Sequence, residues 1–540
     1  MAKFHVVLRS TVLLLSALGA CAESEPAPLR AAAMDDVEVY SRLTKQEYRY
    51  VATDLLDGAS GAAQASVARA IDALDENNYV GHFKNYSPIA VAPGVERAQL
   101  EIARTIARAF MESRLYHELC RASCPESLSA QLLPRLWKRR LSSDTVQQLI
   151  AFHQSFPPED RDYYFLLRVF ASPYFHYKIF DAVPRNEAAV AEGGAAVPET
   201  GAALPEDEAA LHLKRAHLIS FALAGSFPDA ELWADAEKGA LRTPDDWKPH
   251  IERLLDRHHH RFSNLFLPSW LGLGSAAEIN QEFHGVPMRP VVAEPVLVFS
   301  EVLREQRPIS ALIALDSNAV NDEVAGLYGA RAEGPPVGEI PGWYRPQLTS
   351  SLFGTAALSY LTVDHETLNP SPIRRGSYVL NRLLCREIDF PSSALQGEVD
   401  RVVAAAPRDA SPPERMAFFR SHAACAGCHN QIDPYGLALE EIGAFGVHRT
   451  AYYTGDPVEA HGTAGDIHYS SSLDFVTLLA ASKELESCFS KQVYRYVSSE
   501  EGDHRRFDEL PFDEAASERR TAREIVVDMV LRSLEVSNAE

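Results

Sequence analysis

The sequence predicts a mainly α-helical, multi-module fold. Three observations carry this: apolar residues recur at helical spacing along most of the chain, alternating strand-like runs are scarce, and Pro/Gly-rich breaks separate the helical stretches. Its 540 residues allow three or four domains. With 46% hydrophobic and 23% charged residues the chain is composed to bury real cores, which excludes wholesale disorder. A polytopic membrane protein is excluded as well, because only the N-terminus is apolar for long. The 52 basic residues stand against 74 acidic ones, a net charge of −22. Such a chain lacks the basic face that grips a phosphate backbone, so no nucleic-acid partner is expected.

Residues 1–20 read as an export signal. Lys3 and Arg9 give it a positive start, and the apolar stretch 12–20 is too short to span a bilayer. It ends in Leu18-Gly19-Ala20-Cys21, which resembles the lipobox of bacterial lipoproteins and would place a lipid on Cys21. An ordinary cleaved signal peptide is the competing reading, and both export the protein. Residues 21–40 open as a polar tether. Ala22, rather than aspartate, resembles the outer-membrane sorting signal of Gram-negative lipoproteins. The expectation is a protein of the bacterial cell envelope, held to the outer membrane by its lipid and facing the periplasm or the exterior.

The first helical module covers residues 41–125. Thr44 and Glu47 form a capping box, and Leu43, Tyr48, Val51, Leu55 and Leu56 keep helical spacing until Gly58. A further helix is read over 95–118. Residues 126–183 form a second module, with helices over 128–156, capped at Asp144, and over 161–181. The tract 184–206 has no apolar period and reads as a linker. A central helical module follows over 207–335, with helices at 211–224, 229–239, 243–266 and 296–306, the last stopped by Pro308. Its run His258-His259-His260 points in three directions on a helix, so it reads as a solvated basic patch beside Arg257 and Arg261 rather than as metal ligands.

Chemistry is concentrated in residues 345–450, followed by a C-terminal helical module over 451–540. Cys425-x-x-Cys428-His429 is the attachment signature of c-type haem. Two thiols three residues apart reach the two vinyl groups of one porphyrin, and the adjacent imidazole becomes the proximal iron ligand. This composition would give about 0.003 such matches by chance. A thioredoxin-like dithiol and half of a zinc site are the alternatives, but no βαβ frame surrounds the motif and no second Cys/His pair follows at zinc spacing. The fold expected here is a C-terminal monohaem cytochrome c-like module holding one covalent haem c. Of seven cysteines, Cys21, Cys425 and Cys428 are thereby assigned, leaving Cys120, Cys124, Cys385 and Cys488. Three connectivities are possible; Cys120–Cys124 as a local staple with Cys385–Cys488 is favoured, and buried free thiols are the alternative.

The motifs along the chain resemble those of the planctomycete-type cytochrome c proteins, which also occur widely in myxobacteria. The resemblance runs from Arg42-Leu43-Thr44-x-x-Glu47-Tyr48 through Trp137-Lys138-Arg139-Arg140-Leu141-Ser142 and Ser172-Pro173-Tyr174-Phe175. It continues in Ser220-Phe221-Ala222-Leu223, Pro228-Asp229-x-Glu231-Leu232 and Trp270-Leu271-Gly272-Leu273. Ser371-Pro372-Ile373-Arg374-Arg375-Gly376, Ile432-Asp433-Pro434-x-Gly436 after the cysteines, and Cys488 with Tyr494 complete it. Leu141 stands where the family has proline, and Phe445-Gly446-Val447-His448-Arg449 replaces a more tryptophan-like ending. The resemblance implies a secreted or lipid-anchored monohaem cytochrome whose modules have no assigned roles.

What such an iron does depends on its sixth position. His365, where the resemblance frequently puts a histidine, is the candidate distal ligand, against a solvent-facing loop histidine beside Asp364 and Glu366. Met416 is the alternative, against a place in the core. His422 reads as a neighbouring or surface group, and His461 and His468 as outsiders in a Gly-rich loop. Arg374 and Arg375 are candidates for the haem propionates, an exposed turn being the other explanation. Residues 430–436 are expected to shape the exit from the motif helix. Three functions remain: an electron carrier working with an envelope donor or acceptor, a peroxidase- or oxygenase-like haem enzyme, and a surface binding protein or scaffold with structural haem.

Overall fold

The computed structural model describes residues 37–74, 94–121, 123–181, 206–274, 282–338, 340–386, 388, 396–407, 409–498 and 520–539. The export signal, Cys21 and nearly all of the 21–40 and 184–206 segments lie outside them. Helices dominate, as the sequence predicts. Strand is confined, among the described residues, to three antiparallel ribbons: Val37–Arg42 with Tyr177–Asp181, Glu282–Phe283 with Val286–Pro287, and Gly462–Ala464 with Ile467–Tyr469. No described helix is long and apolar enough to cross a membrane. The chain divides into two compact units: residues 1–261 with 495–503 and 530–540, and residues 262–494 with 504–529. The division falls inside the stretch 207–335 read as one module.

In the first unit the helix Lys45–Leu55 starts at the expected capping box. Thr44 Oγ1 accepts from the Glu47 amide at 3.1 Å, and Glu47 Oε2 accepts from the Thr44 amide at 2.8 Å. The other carboxylate oxygen takes Lys178 Nζ at 2.6 Å, so one side chain caps the helix and anchors the ribbon strand. Longer helices break where serine restarts them. The stretch 95–118 becomes Val95–Phe110 and Arg114–Leu119, the second capped by Ser113. The stretch 128–156 becomes Cys124–Gln131, Leu133–Trp137 and Ser143–Gln154. Its last piece is capped by Ser142, not Asp144, because the Ser142 hydroxyl accepts from the Thr145 amide. The stretch 161–181 is helical over Arg161–Phe170 and Pro173–His176, and then pairs as strand with Val37–Arg42.

The fully buried rings of Phe110, Phe165, Phe170 and Phe175 centre this unit's core. Tyr48 and His176 join across it at 2.7 Å, and burial pushes the imidazole down to about 3, so it is neutral. The histidine run departs from expectation. The helix Pro244–Leu271 kinks at His258, which is half-buried, and burial followed by Arg261 pushes that imidazole down to about 4. It carries no charge at neutral pH, so it adds nothing to a basic patch.

The second unit is built on a stack of buried rings, Phe262, Phe266, Trp270, Phe299 and Phe489. The helix predicted from 296 already begins at Met288 and runs to Arg304 with Pro295 inside it. Both expected disulfides are present, Cys120–Cys124 in the first unit and Cys385–Cys488 in the second.

Candidate functional site

The Cys-x-x-Cys-His motif lies on the helix Ala423–Leu437, entered from the helix Pro412–Arg420 through a turn at Ser421 and His422. Ser411 and Glu414 cap the entering helix reciprocally. Residues 430–436 do not form an exit: they continue the motif helix to Leu437. A third helix, Pro372–Tyr378, crosses it at backbone contact. A Cβ on Gly436 would stand 1.9 Å from the Pro372 carbonyl oxygen, and one on Gly376 would stand 2.1 Å from that of Ile432. Each helix thus lays a glycine against the other's backbone, which fixes where the motif sits.

Cys425 and Cys428 share one face at i,i+3. They are the described cysteines outside the disulfides, which join the other four. Burial, then Cys428 and Glu398, push the Cys425 thiol up, so it is protonated at neutral pH. A Cβ on Gly427, which points away from the thiol face, would meet nothing within 4 Å.

His429 is held on two sides. Its Nδ1 lies 2.8 Å from Asp433 Oδ1, one turn further along the same helix, and Phe419 stacks on its ring at 4.9 Å. Asp433 is fully buried and its second oxygen accepts from Arg420 Nη1 at 2.5 Å. A carboxylate accepts only, so Nδ1 carries the proton and Nε2 holds the lone pair. No partner engages Nε2 among the described residues. Two cysteines outside the disulfides, one turn apart, and an imidazole whose Nε2 has no partner among the described residues are the donor set a covalent haem requires. The rivals fit less well: no group of three or more His, Cys, Asp or Glu among the described residues could hold a metal ion, and no parallel sheet frames a dithiol.

The remaining candidates are dispersed. His365 is exposed, its Nε2 donating to the Tyr360 carbonyl at 2.7 Å and its ring lying 4.9 Å from the Tyr360 ring. Met416 is buried in a small cluster with Phe419 and Cys425. His422 caps the motif helix region and bonds the Phe418 carbonyl through Nδ1 at 2.8 Å. His461 and His468 belong to the exposed third ribbon and its approach, with His468 bonded to Thr463. Arg374 is exposed and donates to the Val363 carbonyl. Arg375 is fully buried: it donates to the carbonyls of Leu439 and Ile442 at 2.8 and 2.5 Å, knitting down the segment after the motif helix. Glu440, also fully buried, pairs with Arg449 at 3.0 Å beside it.

Sequence reasoning missed Asp433, Arg420 and Phe419 as partners of His429, and Glu294 entirely. The i,i+4 spacing of His429 and Asp433 was a usable signal. Glu294 gave none. It is a fully buried carboxylate that accepts from Tyr328, from Asn318 and from the Ala356 amide, and burial pushes it up to about 7 against the lowering pull of those bonds.

Residues 212–330 match the family described as PSD4, a protein of unknown function (DUF1592), and residues 353–452 match PSCyt3, a protein of unknown function (DUF1588). Both domains are present, in the architecture of the planctomycete cytochrome c-type multi-domain proteins. The second contains the whole motif helix. No curated protein and no solved structure matches the chain.

Proposed function

We propose that the chain is a monohaem c-type cytochrome of the bacterial cell envelope, transferring single electrons to or from an envelope partner. The observation that carries this is the arrangement at the motif: the cysteines left out of the disulfides stand one turn apart beside an imidazole whose Nδ1 is fixed and whose Nε2 is free. Cys425 and Cys428 would hold the haem by thioether links and His429 would be the proximal ligand. The bound group supplies one-electron chemistry; the protein residues position the ring nitrogen and cover it with Phe419. Arg374, the exposed member of the arginine pair, is the propionate candidate. The lipid anchor at Cys21 and the outer-membrane location belong to the same proposal and rest on the N-terminal sequence.

One observation favours a haem enzyme as the second reading. His365 spends Nε2 on a backbone carbonyl and Met416 is packed in the core, so neither is presented as a ready sixth ligand. Protein from a cytochrome-maturing host decides between them. A mass increased by one haem that resists acid-acetone extraction, with a sharp reduced c-type band and no reaction with carbon monoxide, is expected for the carrier. Haem-loaded protein that binds carbon monoxide and consumes peroxide supports the enzyme. Protein without attached haem defeats both.

A further inference from the structure

The bond between Asp433 and His429 goes beyond holding a ring in place. Asp433 has no exposure to solvent and spends both oxygens, one on His429 Nδ1 at 2.8 Å and one on Arg420 Nη1 at 2.5 Å. The imidazole itself is only 13% exposed, so little water screens the carboxylate from it. Arg420 lies nearer solvent, at 33% side-chain exposure, and its cation is therefore the better-screened member of the trio. A carboxylate accepting the Nδ1 proton fixes the tautomer and makes the opposite nitrogen a more basic ligand. A more basic ligand favours the ferric over the ferrous iron it holds, and hydrogen bonding around the ligands is one of the levers by which a protein sets a haem potential.

We propose that Asp433 is a positioning residue that holds down the reduction potential of the haem attached at Cys425 and Cys428, with Arg420 as its counterweight. This rests on the haem reading above. The geometry makes opposite demands of the two partners. Taking the charge from Asp433 removes negative charge from the imidazole and eases reduction. Taking the charge from Arg420 leaves the carboxylate's full charge on the imidazole and hinders reduction. A pair that served only to brace the helices would not move the potential in opposite senses.

The test is a redox titration of purified holoprotein: wild type, Asp433→Asn, Asp433→Glu and Arg420→Gln. Asparagine keeps an acceptor for Nδ1–H but carries no charge. At the wild-type midpoint its ferrous-to-ferric ratio is expected to rise at least about tenfold, ~59 mV for one electron. Asp433→Glu restores the carboxylate and should bring the ratio back toward wild type. Arg420→Gln is expected to lower it by about threefold, the scale of a partly exposed ion pair. Haem-loaded Asp433→Asn within twofold of wild type, or both charge removals shifting in one direction, overturns the inference. Should Asp433→Asn fail to fold, Arg420→Gln decides alone: a lowered ratio supports the inference and an unchanged or raised one overturns it. Wild type that carries no haem by mass is a different failure, that of the underlying functional reading.

Discussion

Gly376 packs onto the carbonyl of Ile432 so closely that a single added carbon would stand 2.1 Å from the oxygen. Gly436 meets Pro372 in the same way one turn along each helix. Backbone cannot rotate aside as a side chain can, so a methyl group here must push the two helices apart. We expect Gly436→Ala and Gly376→Ala each to cost about 3 kcal/mol or more, at or beyond the upper end of overpacking effects. Gly427→Ala is the control, since its Cβ enters open space. Thermal unfolding of the three variants checks this; equal melting temperatures would show that the crossing is looser than described.

Glu294 makes the stability of the second unit depend on pH. Its carboxyl is pushed from 4.5 up to about 7 by burial. Between these values the folded protein keeps a proton that the unfolded chain has released, so raising the pH across the window lowers stability. The loss is on the order of 3 kcal/mol at full ionisation. Glu294→Gln stays neutral and retains an acceptor for Tyr328 and Asn318, which share one oxygen, while giving up the bond from the Ala356 amide to the other. Its stability relative to wild type should rise from pH 5 to pH 7.5; denaturant unfolding at several pH values measures the difference, and a constant difference would contradict the assignment.

The two disulfides should differ in worth. Cys385–Cys488 closes a stretch of 103 residues and Cys120–Cys124 one of four. Loop-closure entropy gives about 4.7 kcal/mol for the long loop and about 2 kcal/mol for the short one. The Cys385→Ser/Cys488→Ser variant is therefore expected to lose more than twice the stability lost by Cys120→Ser/Cys124→Ser. Guanidinium titration of both, under oxidising conditions, reads the ratio.

Glu47 does two jobs and Thr44 one. Thr44→Ala should cost about 1 kcal/mol, the worth of a helix cap. Glu47→Ala also strands Lys178, which is only 8% exposed, and breaking such a buried pair costs about 3–5 kcal/mol. Adding Lys178→Met to Glu47→Ala should recover part of that loss. A double variant no more stable than Glu47→Ala would show that the pair is not coupled.

What the sequence made legible was local. The capping box at Thr44 and Glu47 was readable because its partners are three residues apart, and Cys425, Cys428 and His429 could be grouped because the attachment motif proposed for them has fixed spacing. The favoured disulfide pairing was one of three connectivities left open once Cys21 and the motif cysteines had been set aside. The ribbon of Val37–Arg42 with Tyr177–Asp181 was not legible, because each strand's partner lies far away in the chain and the second strand continues a helical pattern. Helix breaks at Ser113, Ser142 and Ser172 were overrun by an apolar period that continues through them. Gly376 and Gly436 carry no sign of their purpose, since the reason for each is the backbone of another helix. Glu294 is silent for the same reason: its donors come from three separate segments.

Under the haem attachment proposed above, four cysteines in disulfides beside two outside them imply an order of events for biogenesis. An oxidant that joins Cys385 to Cys488 can equally join Cys425 to Cys428 in a nascent chain, and a bridged motif cannot be alkylated by any prosthetic group. Once the motif helix is folded, the Cys425 thiol is sheltered and protonated, a poor nucleophile toward stray disulfides. On the proposed haem reading, folding of this helix therefore shelters Cys425 from the chemistry that completes its neighbours, and a chain that oxidises before it folds must be reduced again before attachment.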